Sequence, residues 1–403
     1  VIFDMPEIRQ LLSLEYGAAL PAELRSGDGY PVYGSSGEVG RHATPLVGGP
    51  GIVVGRKGSV GKVSWSDQPF WPIDTSYWVN CADQDKRWIY WLLSSLPLAE
   101  LDSSTGIPGL NRNDVYELNI FEPPNAEKRP LVQVLDTLDT TIRQTEAIIA
   151  KLKQVKQGLL HDLLTRGIDA NGELRPPPSE APHLYKASPL GRIPDEWTVK
   201  SLEACSVKIT DRDHTTPVYL REGVMMISPT NLFDEDGIDF DSAKRISPRA
   251  HEINRKKTDL KPGDLIIHRI GAGLGRVRLI TADMPPFSIL HSMAQIRPDL
   301  AAMQSEFMLW ALRTHATQLQ IEHGTQSIGV PDLGLDKIGS ILVVAPPLDE
   351  QRRIVVPLVA HKAKLAAATS ELGKLRKLKS GLMDDLLTGR IRVTPLLAQP
   401  AAT

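Results

Sequence analysis

Two short basic runs interrupted by glycine concentrate the side chains able to do chemistry in this chain, GRKGSVGK at 55–62 and HRIGAGLGR at 268–276. Glycine lets the main chain approach a phosphate closely, and Arg56, Lys57, Lys62, Arg269 and Arg276 could neutralise one. A tight turn with solvated charges is the plain alternative for either run alone. Their recurrence in equivalent surroundings favours phosphate contact. Neither run is a nucleotide fingerprint. In the first, Arg56 stands where a phosphate-binding loop needs glycine, and Val63 replaces its magnesium-touching Ser or Thr. In the second, GAGLG lacks dinucleotide-binding spacing.

Other chemistry finds less support. His251-Glu252 has no second His one helical turn on, and there is no Gly-x-Ser-x-Gly elbow or paired-carboxylate motif. Cys81 and Cys205 are the two cysteines and form no metal-type spacing, so neither a zinc site nor a disulfide framework is expected. Polar side chains able to read base edges precede the final strand of each globular region, Arg112 and Asn113 in one, Thr325 and Gln326 in the other; Ser35 lies in an earlier turn. Trp65, Trp71 and Trp78 fit core or rim packing better than base stacking.

The elements that must position these groups follow from the pattern. At 403 residues, 41% hydrophobic and 23% charged, the chain has room for more than one buried core. No apolar run is long enough to span a bilayer and no signal-peptide pattern stands at Val1, which gives a cytoplasmic expectation. The net charge of -2 does not advertise nucleic-acid binding, but it averages over basic and acidic regions.

KQGLLHDLLTRGI at 156–168 returns as KSGLMDDLLTGRI at 379–391, an offset of 223 that also places Pro123, Glu127, Arg129 and Lys151 on Pro346, Glu350, Arg352 and Lys374. Leu131, Leu135, Leu138, Ile142, Thr145, Ile149, Leu152, Lys156, Leu159 and Leu163 are spaced alternately four and three, as in a heptad seam. Ile354, Leu358, His361, Leu365, Ala368, Leu372, Leu375, Lys379, Leu382 and Leu386 repeat it. Two such stripes in one chain predict an intramolecular two-helix coiled coil. A parallel pairing would set Lys156 against Lys379, so the pairing should be antiparallel.

The expected fold is α+β, with two mixed α/β domains separated by a long antiparallel two-helix coiled coil, in a pseudo-two-fold internal repeat. The divisions are a first domain at 1–123, a helix at 124–168, a proline-rich linker at 169–190, a second domain at 191–345, a second helix at 346–390 and a flexible tail at 391–403. GIVVGRKGSVGKV (51–63) matches GDLIIHRIGAGLGRV (263–277), and GIPGLNRNDVYELNI (106–120) matches the register of IGVPDLGLDKIGSIL (328–342).

With these runs on the page, YPVYGSSGEVG (30–40), PFWPIDTSYWV (69–79), LGRIPDEWTVKSL (190–202), KPGDLIIHRIGAGLG (261–275), PPLDEQRRI (346–354) and the KxGLxxDLLT endings, the chain resembles the DNA-specificity subunits of type I restriction-modification enzymes. The resemblance covers nearly the whole chain. It implies two target-recognition domains, each reading one half of a split, asymmetric site in double-stranded DNA, with the helices as spacer and as the dock for modification (methyltransferase) subunits, two of them. Restriction or translocase subunits would be further partners. The chain itself would be non-catalytic and hold no cofactor, with S-adenosylmethionine, ATP and magnesium belonging to partners. Arg56, Lys57, Lys62, Arg269 and Arg276 would contact phosphate, and Ser35, Arg112, Thr325 and Gln326 would read bases. Arg143, Lys153, Arg376 and Lys377 on the outer helix faces are candidates for partner contact.

Two departures stand out. The first domain begins at Val1 without a counterpart of IPDEW, the mark of a truncated or shortened start. Pro130 replaces the equivalent Arg353, which predicts that ordered helix begins slightly later in the first copy. The rival readings are a coiled-coil adaptor that never touches DNA, and an enzyme whose catalytic groups converge only in three dimensions.

Overall fold

The computed structural model describes residues 5–102, 108–213, 215, 217–325 and 330–393. The chain divides into two compact units, Val1–Ile148 with Ala368–Thr403, and Ile149–Ala367.

Unit 1 contains β1 (Leu12–Tyr16), β2 (Tyr30–Gly34), β3 (Gly37–His42), β4 (Gly51–Gly55), β5 (Val63–Ser66), β6 (Trp71–Pro72), β7 (Ser76–Cys81), α1 (Lys86–Ser95), α2 (Arg112–Tyr116) and the first part of α3 (Asn125–Thr165). An antiparallel sheet has the order β1-β7-β4-β5, and a second sheet has the order β3-β2-β6, with β2 and β6 parallel. The wholly buried GIVVG of β4 is explained by its place between two layers. Ile52 and Val54 pack with Trp88, Ile89 and Leu92 of α1, while Val53 points the other way, to Tyr33 and Phe70.

Unit 2 contains the hairpin β8 (Tyr185–Ser188) and β9 (Gly191–Pro194), β10 (Thr198–Ser201), β11 (Ser206–Asp211), β12 (Val224–Ile227), the short hairpin β13 (Leu232–Phe233) and β14 (Gly237–Ile238), β15 (Lys244–Ile246) and α4 (Pro248–Arg255). It continues through β16 (Leu265–His268), β17 (Val277–Leu279), β18 (Phe287–Ile289), β19 (Met293–Pro298), α5 (Ser305–Leu312), α6 (His315–Gly324), α7 (Leu335–Ser340), β20 (Leu342–Ala345) and the first part of α8 (Leu348–Leu387). Its antiparallel sheet has the order β11-β19-β16-β17, and a second sheet has the order β15-β12-β18, with β12 and β18 parallel. The central strand again faces two ways: Leu265 and Ile267 pack with Phe307 and Met308 of α5, Ile266 with Ile227, Phe287 and Ile289.

The heptad stripes are buried along both long helices. Leu131, Leu135, Leu138 and Ile142 of α3 are nearly covered in unit 1, as is Leu386 of α8; in unit 2 the covered seam residues are Leu163, Ile354, Leu358 and His361. The intervening seam positions Leu152, Leu159, Leu365, Leu372, Leu375 and Leu382 are partly buried, and Ile149 is 9% exposed. Within each unit the helices run antiparallel. In unit 1 Arg376 pairs with Glu146 at 2.7 Å and Lys379 with Asp139 at 2.5 Å; in unit 2 His361 Nε2 meets Leu152 O at 2.9 Å. Lys156 has its own carboxylate, Glu235, and burial pushes its ammonium below its ordinary pKa.

Each helix start is fastened by a buried glutamate. Glu350 accepts from the Ile168 N–H at 2.9 Å and, through both oxygens, from Arg175. Glu127, its equivalent in sequence, accepts from Arg392 in the same two-pronged way. The expected late start of the first helix is corrected. The helices begin at Asn125 and Leu348, equivalent positions, with Pro130 inside α3. So close to the N-terminus proline removes one main-chain bond, while Glu127 N and Lys128 N already donate to Pro124 O.

Candidate nucleic-acid interface

In unit 1 the turn between β4 and β5 is held by main-chain bonds before any side chain contributes. Arg56 N and Lys57 N both donate to Thr75 O (2.9 and 3.1 Å), Leu110 N donates to Arg56 O (2.8 Å), Gly58 N to Pro108 O (3.4 Å) and Gly61 N to Gly55 O (2.9 Å). Gly61 has φ +74°, and a Cβ there would lie 2.7 Å from Leu98 Cβ, so both conformation and space require glycine.

The turn between β16 and β17 in unit 2 is held by the same set. Arg269 N and Ile270 N donate to Ser292 O (2.9 and 3.3 Å), Leu333 N to Arg269 O (2.8 Å), Gly271 N to Pro331 O (2.9 Å) and Gly275 N to His268 O (2.9 Å). Lys62 and Arg276 are equivalent too: each donates to a main-chain carbonyl in the segment after the central strand of the smaller sheet, Ser36 O at 2.5 Å and Leu232 O at 3.0 Å.

Unit 1 gathers its expected residues around the one turn. Arg56 is partly exposed, with Nη1 on Asp74 O at 3.0 Å and Cζ 4.8 Å from the Tyr16 ring centroid. Arg112 donates to Leu14 O at 3.3 Å and places its Cζ 5.0 Å from the same centroid. Neither guanidinium pairs with a carboxylate among the described residues, and Tyr16 is 50% exposed. Lys57 and Lys62 are exposed, and Ser35 borders Gly58. The result is an exposed cationic surface around an aromatic ring, suited to an anion with a stacking partner.

Unit 2 distributes its charges differently. Arg269, equivalent to Arg56, is 5% exposed; it pairs with Asp211 at 3.0 Å and Asp332 at 2.8 Å and donates to Leu333 O and His291 O. Its guanidinium ties three segments together instead of facing solvent. Arg276 remains partly exposed and, among the described residues, without a carboxylate; it is bonded to Gly273 O and Leu232 O and lies 3.4 Å from His268 Nδ1. The ring nitrogens of His268 lie 2.7 Å from Gly273 O and 2.7 Å from Ile270 O. Burial pushes its pKa below the ordinary value despite these bonds. Thr325 is at the end of α6, donating to Glu322 O at 2.7 Å, and Gln326 lies outside the described residues.

Three residues absent from the sequence reading belong to these surfaces: Tyr16, Tyr219 and Lys244. Lys244 Nζ sits 4.6 Å from the Tyr219 ring centroid. A single tyrosine or lysine carries no periodicity or motif, so nothing in the sequence singled them out. The tryptophans pack: Trp71 Nε1 donates to Ala18 O at 2.9 Å, Arg87 lies 4.6 Å over Trp65, and Trp78 borders the Tyr33, Val53 and Phe70 core. Burial pushes the Cys81 thiol up to about 11 and raises that of Cys205, so neither is poised as a nucleophile. Among the described residues no cluster of His, Cys, Asp or Glu is arranged to hold a metal, and no helix is long and apolar enough to cross a membrane.

Residues 3–154 match the type I restriction modification DNA specificity domain family. The chain is similar to a putative type I restriction enzyme MjaX specificity subunit of Methanocaldococcus jannaschii, 24% identical over 70% of this chain and 62% of that protein. The MjaVIII specificity subunit of the same organism is 22% identical over 72% of this chain and 66% of that protein, and the EcoBI specificity subunit of Escherichia coli 20% over 75% and 65%. The matched region thus spans slightly less than two thirds of these relatives' length. Among solved structures, the S subunit of a type I restriction-modification system from M. genitalium shares the fold with a TM-score of 0.65, at 19% identity and 96% coverage of both chains. A chain solved for the complex assembly and conformational transition of the type I R-M system gives 0.50, at 15% identity over 96% of this chain and 97% of that one.

Proposed function

We propose, from the premise that this chain belongs with the type I restriction-modification specificity subunits, that it binds double-stranded DNA and supplies the sequence address for a modification complex. The observation that carries the reading is the pair of glycine-rich turns, each pinned by the same main-chain bonds and each flanked by basic side chains. Matching strand orders, β1-β7-β4-β5 with β11-β19-β16-β17 and β3-β2-β6 with β15-β12-β18, support an internal duplication. Two duplicated readers of different sequence recognise different half-sites, which makes the target bipartite and asymmetric. The target-recognition domains are 1–123 and 191–345, the helices 124–168 and 346–390, with 169–190 as linker and 391–403 as tail.

In this account Arg56, Lys57, Lys62 and Arg276 contact phosphates and position the readers, Arg269 holds its turn in shape, and Ser35, Arg112, Thr325 and Gln326 discriminate bases. The outer faces of α3 and α8 dock two modification subunits, and restriction subunits join where present. Methyl transfer from S-adenosylmethionine to adenine, and any ATP- and magnesium-dependent step, occur on those partners in the cytoplasm; this chain performs no catalysis.

The test is duplex binding by the chain assembled with its modification subunit, titrated across salt concentration. Sequence-selective binding that weakens linearly in log-log form as salt rises is expected. Assembly without affinity for any duplex would favour a protein-binding adaptor instead.

A further inference from the structure

In unit 1, β2 and β3 are joined by a tight turn at Ser35 and Ser36. In unit 2 the corresponding strands β12 and β15 are separated by residues 228–243, which fold into β13 and β14. This longer connection opens a cleft of about 660 Å³ against the glycine-rich turn. Its wall includes Tyr219, Ser228, Thr230, Lys244, His268 and Arg276 and, among the described residues, no Asp or Glu. The Asp239 carboxylate is engaged by Ser242 and is not part of the wall.

The charge left unneutralised here matters because the equivalent of Arg56 has been withdrawn. Arg269 is enclosed between Asp211 and Asp332, so the stem of the turn offers unit 2 no free cation of the kind Arg56 offers unit 1. Lys244 is exposed, stacked on Tyr219 and unpaired with any carboxylate among the described residues; Arg276 is likewise without one. Ser228 Oγ and Thr230 Oγ1, 2.8 Å apart, add hydroxyls to the same lining. Two cations and two hydroxyls around a concave surface without carboxylates focus a positive potential that suits a phosphodiester.

We infer that this cleft is the backbone-phosphate site of unit 2, with Lys244 as its principal ligand and Arg276 as its second. The principal phosphate ligand thereby differs between the units, Arg56 beside Tyr16 in unit 1 and Lys244 in the cleft of unit 2, while Lys62 and Arg276 remain an equivalent pair. The inference rests on the DNA-binding reading above.

The experiment compares wild type, Lys244→Gln and Lys244→Arg, each assembled with the modification subunit, for duplex affinity between 50 and 200 mM salt, a range set by general experience with phosphate contacts. Losing one contact lowers the log-log salt slope by about 0.9, so the wild-type advantage over Lys244→Gln should shrink about threefold from the low to the high salt, and Lys244→Arg should restore it. If wild type binds duplex and Lys244→Gln keeps its affinity and slope, the cleft assignment is overturned while the DNA reading stands. If wild type binds no duplex at any salt, the reading itself fails and takes the assignment with it. Titration with inorganic phosphate separates the remaining source: saturation of wild type but not Lys244→Gln, with duplex binding unaffected, would make the cleft a free-anion site and overturn the nucleic-acid assignment.

Discussion

Replacing Glu350 by Gln removes one charge from the most enclosed ion pair among the described residues of unit 2. The Glu350 side chain is 1% exposed and that of Arg175 9%, so water cannot replace the lost carboxylate. The amide can still accept from the Ile168 N–H, but the guanidinium keeps only Glu196, whose side chain is 70% exposed, as counter-charge. Breaking one side of a buried pair costs about 3–5 kcal/mol. The lower end applies here because shape and one acceptor survive; about 3 kcal/mol corresponds to roughly a hundredfold in the opening equilibrium. The equivalent Glu127→Gln leaves Arg392 with a side chain 29% exposed, where solvent can take the place of the lost carboxylate, so the expected cost is far smaller. Hydrogen exchange read by peptide mass spectrometry resolves the two units. Amides of 163–175 and 348–358 should exchange roughly a hundred times faster in Glu350→Gln, and Glu127→Gln should affect unit 1 amides far less. Equal and small accelerations in both variants would refute the argument that enclosure sets the energetic weight of these pairs.

Gly167 has φ +69°, and a Cβ there would fall 2.4 Å from the Trp197 ring, so Gly167→Ala should destabilise unit 2 by at least about 1–3 kcal/mol from the backbone alone, measurable as a lower urea midpoint. Arg112→Gln removes a cation that pairs with no carboxylate among the described residues; unfolding should be nearly unchanged while duplex affinity of the assembled complex falls, and an unaltered affinity would remove Arg112 from the interface. Burial pushes the pKa values of His268 and His251 below the ordinary 6.5, so the folded state binds fewer protons than the unfolded one. Their contribution to stability is therefore complete above pH 6.5 and declines as pH falls through the depressed folded values. Urea midpoints for unit 2 should drop from pH 7 toward pH 5, less steeply in His268→Gln.

The parts of the molecule legible in the sequence are those built on periodicity. Alternate four and three spacing identifies the faces that α3 and α8 bury, because a residue's place on a helix depends only on its neighbours in the chain. The glycine-rich turns were visible for a similar local reason. What their charges face was not. Arg56 and Arg269 occupy matching places, yet the environment of Arg269 is set by Asp211 and Asp332, 58 and 63 residues away. The proline-rich composition of 169–190 gave no sign that Arg175 reaches Glu350, a partner 175 residues on. Tyr16 and Lys244 matter through what the sheets bring beside them, a relation no local pattern encodes. Pro130 misled because its penalty depends on position in the helix, and it falls where few main-chain bonds are at stake.

The central claim is that this chain supplies a sequence address. The most direct test is methylome sequencing of DNA from cells that express it with and without the modification subunit proposed as its partner. A split motif of methylated adenines, two unlike half-sites around a fixed spacer, should appear only when both proteins are made. Co-purification of the two proteins with no new methylated motif would contradict it.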